Sequence, residues 1–316
     1  MKLLVVVLVL CVINITGTFA QGLNEKCYSA KHNVQIPDTV CVDTKVRKCR
    51  NKMTVFFVSV LFTCLTQLIY SIILRYTNED PKNWRLPFGM ISIVNTTYSP
   101  GFEIAYVYQF TSIIYFITTC LTSTIIITGL LNFAATQFKI MQLKIKRILT
   151  NANNSSIQWR FLKTQIEELI RYHEFITEIV QEVSFMYGNM ILCNFMGTLC
   201  INCVEIYRMS ILSLKDSRVV NILAEIITGS FHTMLICKAG QNMTNESEKI
   251  AECIYEIDFV GTDLRFQKSI VILLRRAQKP ARIKAGGLVN VSTVTSLHVL
   301  RLAYSAFTIL RNVYNK

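Results

Sequence analysis

Few residues in this sequence have the types and spacing that catalysis or metal binding requires. Cys200 and Cys203 form a Cys-x-x-Cys pair, a spacing found in redox sites and in half of a zinc site. The pair lies in an uncharged apolar run without a second pair, which favours packing over chemistry. The four histidines are far apart, and there is no Gly-x-Ser-x-Gly, phosphate-binding glycine loop or His-Glu-x-x-His motif. We therefore predict that the protein is not an enzyme and holds no metal or cofactor.

Glu225 and His232 are the ionisable residues of another apolar run, Val219–Cys237. They lie two helical turns apart on one face. Ionisable groups inside a membrane usually face the bundle interior or a water-filled cavity. The alternative, that Glu225 sits near the membrane surface and extends its carboxylate to water, is equally compatible with the sequence.

The composition indicates a membrane protein. The 316 residues are 52% hydrophobic and 17% charged, whereas ordinary soluble domains are about 25% charged. With a mean hydropathy of +0.38, too little polar surface remains to cover one globular core. The net charge of +13 does not predict a nucleic-acid partner, because lysine and arginine accumulate in the cytoplasmic loops of membrane proteins.

Long apolar runs divide the chain, and each is long enough to cross about 30 Å of hydrocarbon. We expect a transmembrane domain over residues 54–316, with membrane spans at about 54–75, 107–135, 183–205, 219–238 and 286–311. The last run is interrupted by Arg301 and rich in serine and threonine. Residues 1–20 resemble a secretory signal with a cleavage site at Thr18-Phe19-Ala20, and residues 21–53 form a polar and basic segment without a clear period.

The segment Lys139–Glu182 is polar but periodic. Its apolar stripe steps by three and four residues: Leu162, Ile166, Leu169, His173, Ile176, Val180 and Val183. The stripe predicts an amphipathic helix that continues into the next span, and a solvated linker is the alternative. The expected fold class is an all-α, polytopic membrane helical bundle with cytoplasmic helix extensions.

Loop charges orient the chain. Lysine and arginine concentrate before the first span, between the second and third, and after the fourth, which places these loops in the cytoplasm and the carboxyl terminus outside. A cleaved signal peptide would reverse every span. We follow the three loops, which agree with one another, over one short apolar run. Asn95 is then the Asn-x-Ser/Thr site that reaches the glycosylation compartment.

An ordered set of motifs resembles the carboxyl-terminal end of insect odorant receptors. These motifs are Cys237-Lys-Ala-Gly-Gln, Ser247-Glu-Lys, Ile254-Tyr-Glu-Ile-Asp-Phe259, Arg265-Phe-Gln-Lys-Ser269, Arg275-Arg-Ala-Gln-Lys-Pro280, Lys284-Ala-Gly-Gly287 and Ala303-Tyr-Ser-Ala-Phe-Thr308. Upstream, Leu86-Pro-Phe and Ser99-Pro-Gly-Phe-Glu-Ile-Ala-Tyr-Val-Tyr-Gln109 resemble that family's second extracellular loop. The likeness covers about residues 52–316.

The resemblance implies a seven-helix fold with a cytoplasmic amino terminus, in agreement with the loop charges. The predicted spans correspond to the family's third to seventh helices, and we expect the first two to be lacking. The implied function is that of an odorant receptor subunit, which binds a volatile apolar ligand and gates a non-selective cation channel. The implied partners are a shared coreceptor, in a heteromeric tetramer, and the lipid bilayer. The implied location is the plasma membrane of olfactory sensory neurons.

Gustatory receptors and secondary transporters are the two alternative functions. Gustatory receptors resemble this topology, but they end their last helix with a Thr-Tyr…Gln-Phe signature where this chain has Ala303-Tyr304 and then Asn312. A secondary transporter predicts internal repeats and helices broken by glycine or proline in both halves, neither of which the sequence contains.

Two sets of candidate site residues follow. The outer halves of the first, second and fourth spans supply apolar walls for a ligand, assigned by depth alone: Leu68, Ile72, Tyr106, Phe110, Ile114 and Ile222. Packing against lipid or neighbouring helices is the alternative for each.

The segment Ala303–Val313 resembles the end of the family's pore helix, and Ile309 and Val313 match its outer gate. Ser305 lies one turn further in on the same face. A ring of aliphatic side chains can close a channel by dewetting.

Overall fold

The computed structural model describes residues 98–152, 159–212, 218–256 and 263–314, and before them residues 58, 60, 64–66, 68–77, 84 and 86. Residues 68–77 are helical. The later helices are α1 (Gly101–Ala152), α2 (Trp159–Ile211), α3 (Arg218–Tyr255), α4 (Leu264–Ala277) and α5 (Thr293–Tyr314). Strands β1 (Lys284–Ala285) and β2 (Val289–Asn290) pair antiparallel between α4 and α5. The predicted all-α class is confirmed.

Four of the described helices are long and apolar enough to cross a membrane: Gly101–Ile148, Leu162–Ile211, Val219–Tyr255 and Thr293–Asn312. The first three are much longer than the about 20 residues that a span needs, so each continues beyond the hydrocarbon. Helix α5 begins at Thr293 rather than near residue 286, because residues 284–290 form the hairpin.

The chain forms two compact units. The first contains the described residues up to Ile125 together with Arg208–Thr228, and the second contains Ile126–Tyr207 and the described residues from Gly229 onward. The core of the second unit is built from α1, α2, α3 and α4, with Phe138, Ile176, Met243 and Phe266 among its fully buried side chains. All seven residues of the predicted stripe on α2 are buried, which confirms the amphipathic helix.

The hairpin turn explains the Lys284-Ala-Gly-Gly287 motif. Gly286 and Gly287 have φ angles of +58° and +72°, a left-handed conformation that glycine adopts without a Cβ clash. The backbone N–H of Leu288 donates to the carbonyl of Ala285 over 3.1 Å and closes the turn. The turn therefore requires the two glycines that the sequence supplies.

Residues 278–292, here called the strap, lie directly on the backbones of α2 and α3. The backbone N–H of Gly286 donates to the carbonyl of Gly188 over 2.9 Å. A Cβ atom added at Gly188 would lie 2.9 Å from the carbonyl oxygen of Lys284, and one at Gly240 would lie 2.7 Å from that of Val291. Backbone oxygens cannot rotate away as side chains can, so both contacts exclude any residue larger than glycine.

Two serines accept hydrogen bonds from the strap. The backbone N–H of Lys284 donates to Ser184 Oγ over 3.2 Å, and that of Ala281 donates to Ser247 Oγ over 3.0 Å. The second bond is buried. These hydroxyls satisfy backbone groups that the short hairpin cannot pair internally.

We predict that Gly188→Ala lowers the thermal midpoint of the purified protein in detergent. The added methyl group would push the strap off α2, and overpacking of this kind costs about 1–3 kcal/mol. The matched control is Gly197→Ala on the same helix, where an added Cβ meets no atom within 4 Å. Equal midpoints for the two variants would contradict the tight docking of the strap.

Candidate functional site

The predicted ligand-wall residues all belong to the first compact unit: Leu68, Ile72, Tyr106, Phe110, Ile114 and Ile222. Leu68 and Ile222 are buried, with 6% and 2% of their surface exposed. Tyr106, Phe110 and Ile114 are partly buried, whereas Ile72 exposes 41%.

The structure brings Leu68 and Tyr106 together. The Tyr106 hydroxyl donates a 3.4 Å hydrogen bond to the backbone carbonyl of Leu68. The Tyr106 ring also stacks on Phe102, with centroids 6.5 Å apart and ring planes at 24°. Phe102 belongs to a small buried apolar cluster with Leu86 and Ala105. Two of the predicted wall residues thus share an aromatic and aliphatic environment at the start of α1.

The positively charged side chain of Arg75 lies beside these aromatic residues. The Arg75 guanidinium lies 3.6 Å from the centroid of the Trp84 ring and 6.0 Å from that of Phe102. Arg75 Nη2 also donates to Glu103 Oε1 over 3.1 Å. We call these four residues the Arg75 cluster. Because the ion pair is partly exposed, its charge attraction contributes little, and the stacking on Trp84 is the stronger part of the contact.

The Arg75 cluster was not predicted from the sequence. Trp84 precedes the Leu86-Pro-Phe motif, which indicated a family but no contact. An arginine and a tryptophan near the predicted end of a span are typical of a membrane interface, and this signal was present. The Arg75 guanidinium reaches an aromatic ring only through the path of the loop between Arg75 and Trp84. The sequence of that loop has no periodic pattern, so it does not predict which ring is contacted.

Two of the three predicted pore residues, Ser305 and Ile309, lie on a face of α5 that the described part of the chain leaves exposed. Ser305 is exposed, and Ile309 exposes 65% of its surface. The opposite face is buried through Ala303 and Phe307. The side chain of Val313 lies outside the described residues, as does Asn95.

Glu225 and His232, the ionisable residues singled out in the predicted span Val219–Cys237, contact different partners. Glu225 Oε2 lies 3.9 Å from Arg208 Nη1 in the first unit. His232 Nδ1 lies 3.5 Å from Asn194 Nδ2 in the second.

Cys200 and Cys203 carry free thiols, and Cys200 is exposed. Among the residues that the structure describes, no three His, Cys, Asp or Glu side chains are placed to hold a metal ion. The chemistry available at the candidate site is therefore apolar burial, aromatic stacking and a few hydrogen bonds.

Comparison with known proteins points to the same family as the sequence motifs. The family model described as 7tm Odorant receptor matches residues 18–304. The chain is similar to Putative odorant receptor 85d of Drosophila melanogaster, with 30% identity over 149 residues that cover 47% of this chain and 36% of that protein. It is also similar to Odorant receptor 10 of Aedes albopictus, with 25% identity over 235 residues that cover 73% and 61%. The matched stretches span less than two thirds of both relatives.

A solved structure shares the fold. The insect olfactory receptor OR5 from Machilis hrabei in complex with eugenol superposes with a TM-score of 0.73 at 16% identity, over 86% of this chain and 68% of that chain. The resemblance inferred from the motifs is confirmed. The family match begins at residue 18, upstream of the residue 52 at which the motifs had placed its start.

We predict that Arg75→Lys shifts the fluorescence of Trp84. Lysine keeps the charge but lacks the planar guanidinium that stacks on the indole ring. Because Trp84 and Trp159 are the two tryptophans of the chain, the measurement uses a Trp159→Phe background in which Trp84 is the sole reporter. We expect a red shift of the emission maximum. Arg301→Lys, at an exposed position of α5, should leave the spectrum unchanged, and an unshifted spectrum in Arg75→Lys would contradict the stacking.

Proposed function

The chain belongs to the 7tm odorant receptor family, and we propose that it is an odorant receptor subunit that binds small volatile apolar ligands and gates a non-selective cation channel with a shared coreceptor. The observation that carries this proposal is the family match over residues 18–304. The relatives reported above are odorant receptors and not enzymes. The proposed location is the plasma membrane of olfactory sensory neurons, with Asn95 outside and glycosylated.

Ligand binding is assigned to the first compact unit. Its wall residues are aliphatic or aromatic, and small-molecule sites are usually apolar cavities with a few polar groups that fix orientation. Leu68 and Ile222 are buried, and Tyr106 supplies a hydroxyl whose present partner is a backbone carbonyl. A volatile ligand would gain its binding free energy mainly by removing apolar surface from water.

Channel gating is assigned to α5. Ser305, Ile309 and Val313 follow one another at four-residue intervals, so they share a face of the helix. The exposure of Ser305 and Ile309 supports this assignment, because a pore-lining face cannot be covered by its own subunit. In a tetramer with the coreceptor, each subunit would contribute one such face, and the aliphatic ring would exclude water from the closed pore.

We predict that Phe110→Ala and Ile72→Ala each weaken the potency of at least one activating odorant by about tenfold, the effect of losing about 1.4 kcal/mol of binding. The measurement is a dose–response curve in cells that also express the coreceptor. Phe116→Ala is the matched control for Phe110→Ala, because Phe116 lies on the same helix, is not one of the proposed wall residues and has an exposed side chain. Unchanged potencies for every ligand in a responsive receptor would show that these two positions do not line the site.

We predict that Ile309→Cys and Val313→Cys channels react with a charged, water-soluble thiol reagent. Modification should change the odorant-evoked current, and faster when odorant is present, because opening wets the pore. A Cys193→Ser, Cys200→Ser background removes the native thiols that are exposed among the described residues. The controls are Leu310→Cys and Asn312→Cys. If these two react while Ile309→Cys and Val313→Cys stay silent, a different face of α5 lines the pore.

A further inference from the structure

The interface of α2 with α3 contains a row of polar side chains within the second compact unit. The row lies where both helices fall inside predicted membrane spans, at residues 183–205 and 219–238. Three contacts cross the interface: Thr198 Oγ1 to Thr233 Oγ1 at 2.8 Å, Asn202 Nδ2 to Ser230 Oγ at 3.1 Å, and Asn194 Nδ2 to His232 Nδ1 at 3.5 Å.

Asn202 has one polar atom without a partner. The residue is buried, with 1% of its surface exposed, and its Nδ2 donates to Ser230. Its Oδ1 is also buried but accepts no hydrogen bond from any residue that the structure describes. A side-chain carbonyl oxygen has two lone pairs, and leaving a buried acceptor unpaired is costly inside a membrane, where no bulk water can reach it.

There is room beside this oxygen. A methyl group built at Gly229 would meet a single atom within 4 Å, and that atom is Asn202 Oδ1 at 3.9 Å. Gly229 therefore leaves an opening on α3 that faces the unpaired acceptor. The neighbouring Ser230 Oγ uses one lone pair to accept from Asn202 and retains a second.

We propose that Asn202 Oδ1, Ser230 Oγ and the space beside Gly229 form a binding site for one small hydroxyl group, supplied by water or by a short alcohol. The O–H of the bound molecule donates to Asn202 Oδ1, and its oxygen remains close to the polar row. Buried water is the usual partner of an otherwise unsatisfied buried polar group, and an alcohol offers the same O–H donor. The site explains both the unpaired acceptor and the glycine that faces it, and it is independent of the proposed odorant site.

The test compares Gly229→Ala with Gly197→Ala in thermal unfolding of the full chain in lipid nanodiscs. Alanine is the better helix former, and an added Cβ at Gly197 meets open space, so Gly197→Ala should raise the midpoint. At Gly229 the methyl group displaces the bound hydroxyl and leaves Asn202 Oδ1 unpaired, so the midpoint should fall. A rise of equal size in both variants would overturn the proposal.

A second variant checks that the effect acts through Asn202. Asn202→Leu removes the acceptor, so adding Gly229→Ala to it should raise the midpoint as Gly197→Ala does. If Gly229→Ala lowers the midpoint equally with or without Asn202, the methyl group causes a steric defect and the site is wrong.

The source of the hydroxyl is determined with ethanol and acetonitrile, which are similar in size but differ in that only ethanol carries an O–H donor. If an alcohol occupies the site, ethanol should destabilise the natural sequence less than acetonitrile does, and Gly229→Ala should abolish this difference. Identical effects of the two solvents, together with the fall in Gly229→Ala, assign the site to water.

Discussion

Backbone hydrogen bonding is the constraint on which this structure depends. In lipid, every N–H and C=O group needs a partner from the protein, and a long helix provides nearly all of them internally. Helices α1, α2 and α3 meet this requirement over 52, 53 and 38 residues. The strap, where the described chain leaves the helical conformation between α4 and α5, receives its partners from Ser184, Gly188 and Ser247 instead.

The docking of the strap determines where α5 begins. Val291 lies against Gly240, and the next residue, Ser292, accepts a hydrogen bond from the backbone N–H of Thr295 through its Oγ over 3.3 Å. A serine in this position satisfies a donor that the first turn of a helix leaves open. The start of α5 is thereby tied to α3. Ala303 and Phe307 form its buried face, whereas Ser305 and Ile309 are exposed.

The sequence predicted the helices well because their signals are physical and repeated. Long apolar runs predicted the membrane-spanning helices. The three-and-four spacing on α2 predicted which side of that helix is buried, from Leu162 at one end of the stripe to Val183 at the other. The strap was missed because strands of two residues carry no period, and hydropathy alone extended the last predicted span into it. The ligand-wall residues were assigned by their depth along the predicted membrane spans, and depth does not tell which way a side chain points. Leu68 and Ile72 lie one turn apart, yet one is buried and the other is 41% exposed, since exposure depends on neighbours distant in sequence.

Polar contacts have different consequences in the two units. In the first unit, Arg75 and Glu103 are partly exposed, so their attraction is weak and their effect is to hold a loop residue, Trp84, by stacking. In the second, the contacts of Thr198 and Asn202 are buried, and their loss would leave groups unpaired. Lipid is as apolar as leucine, so burial alone does not decide which helix faces meet in a membrane. Directional polar contacts such as those of Thr198 and Asn202 therefore help to decide which faces of α2 and α3 meet.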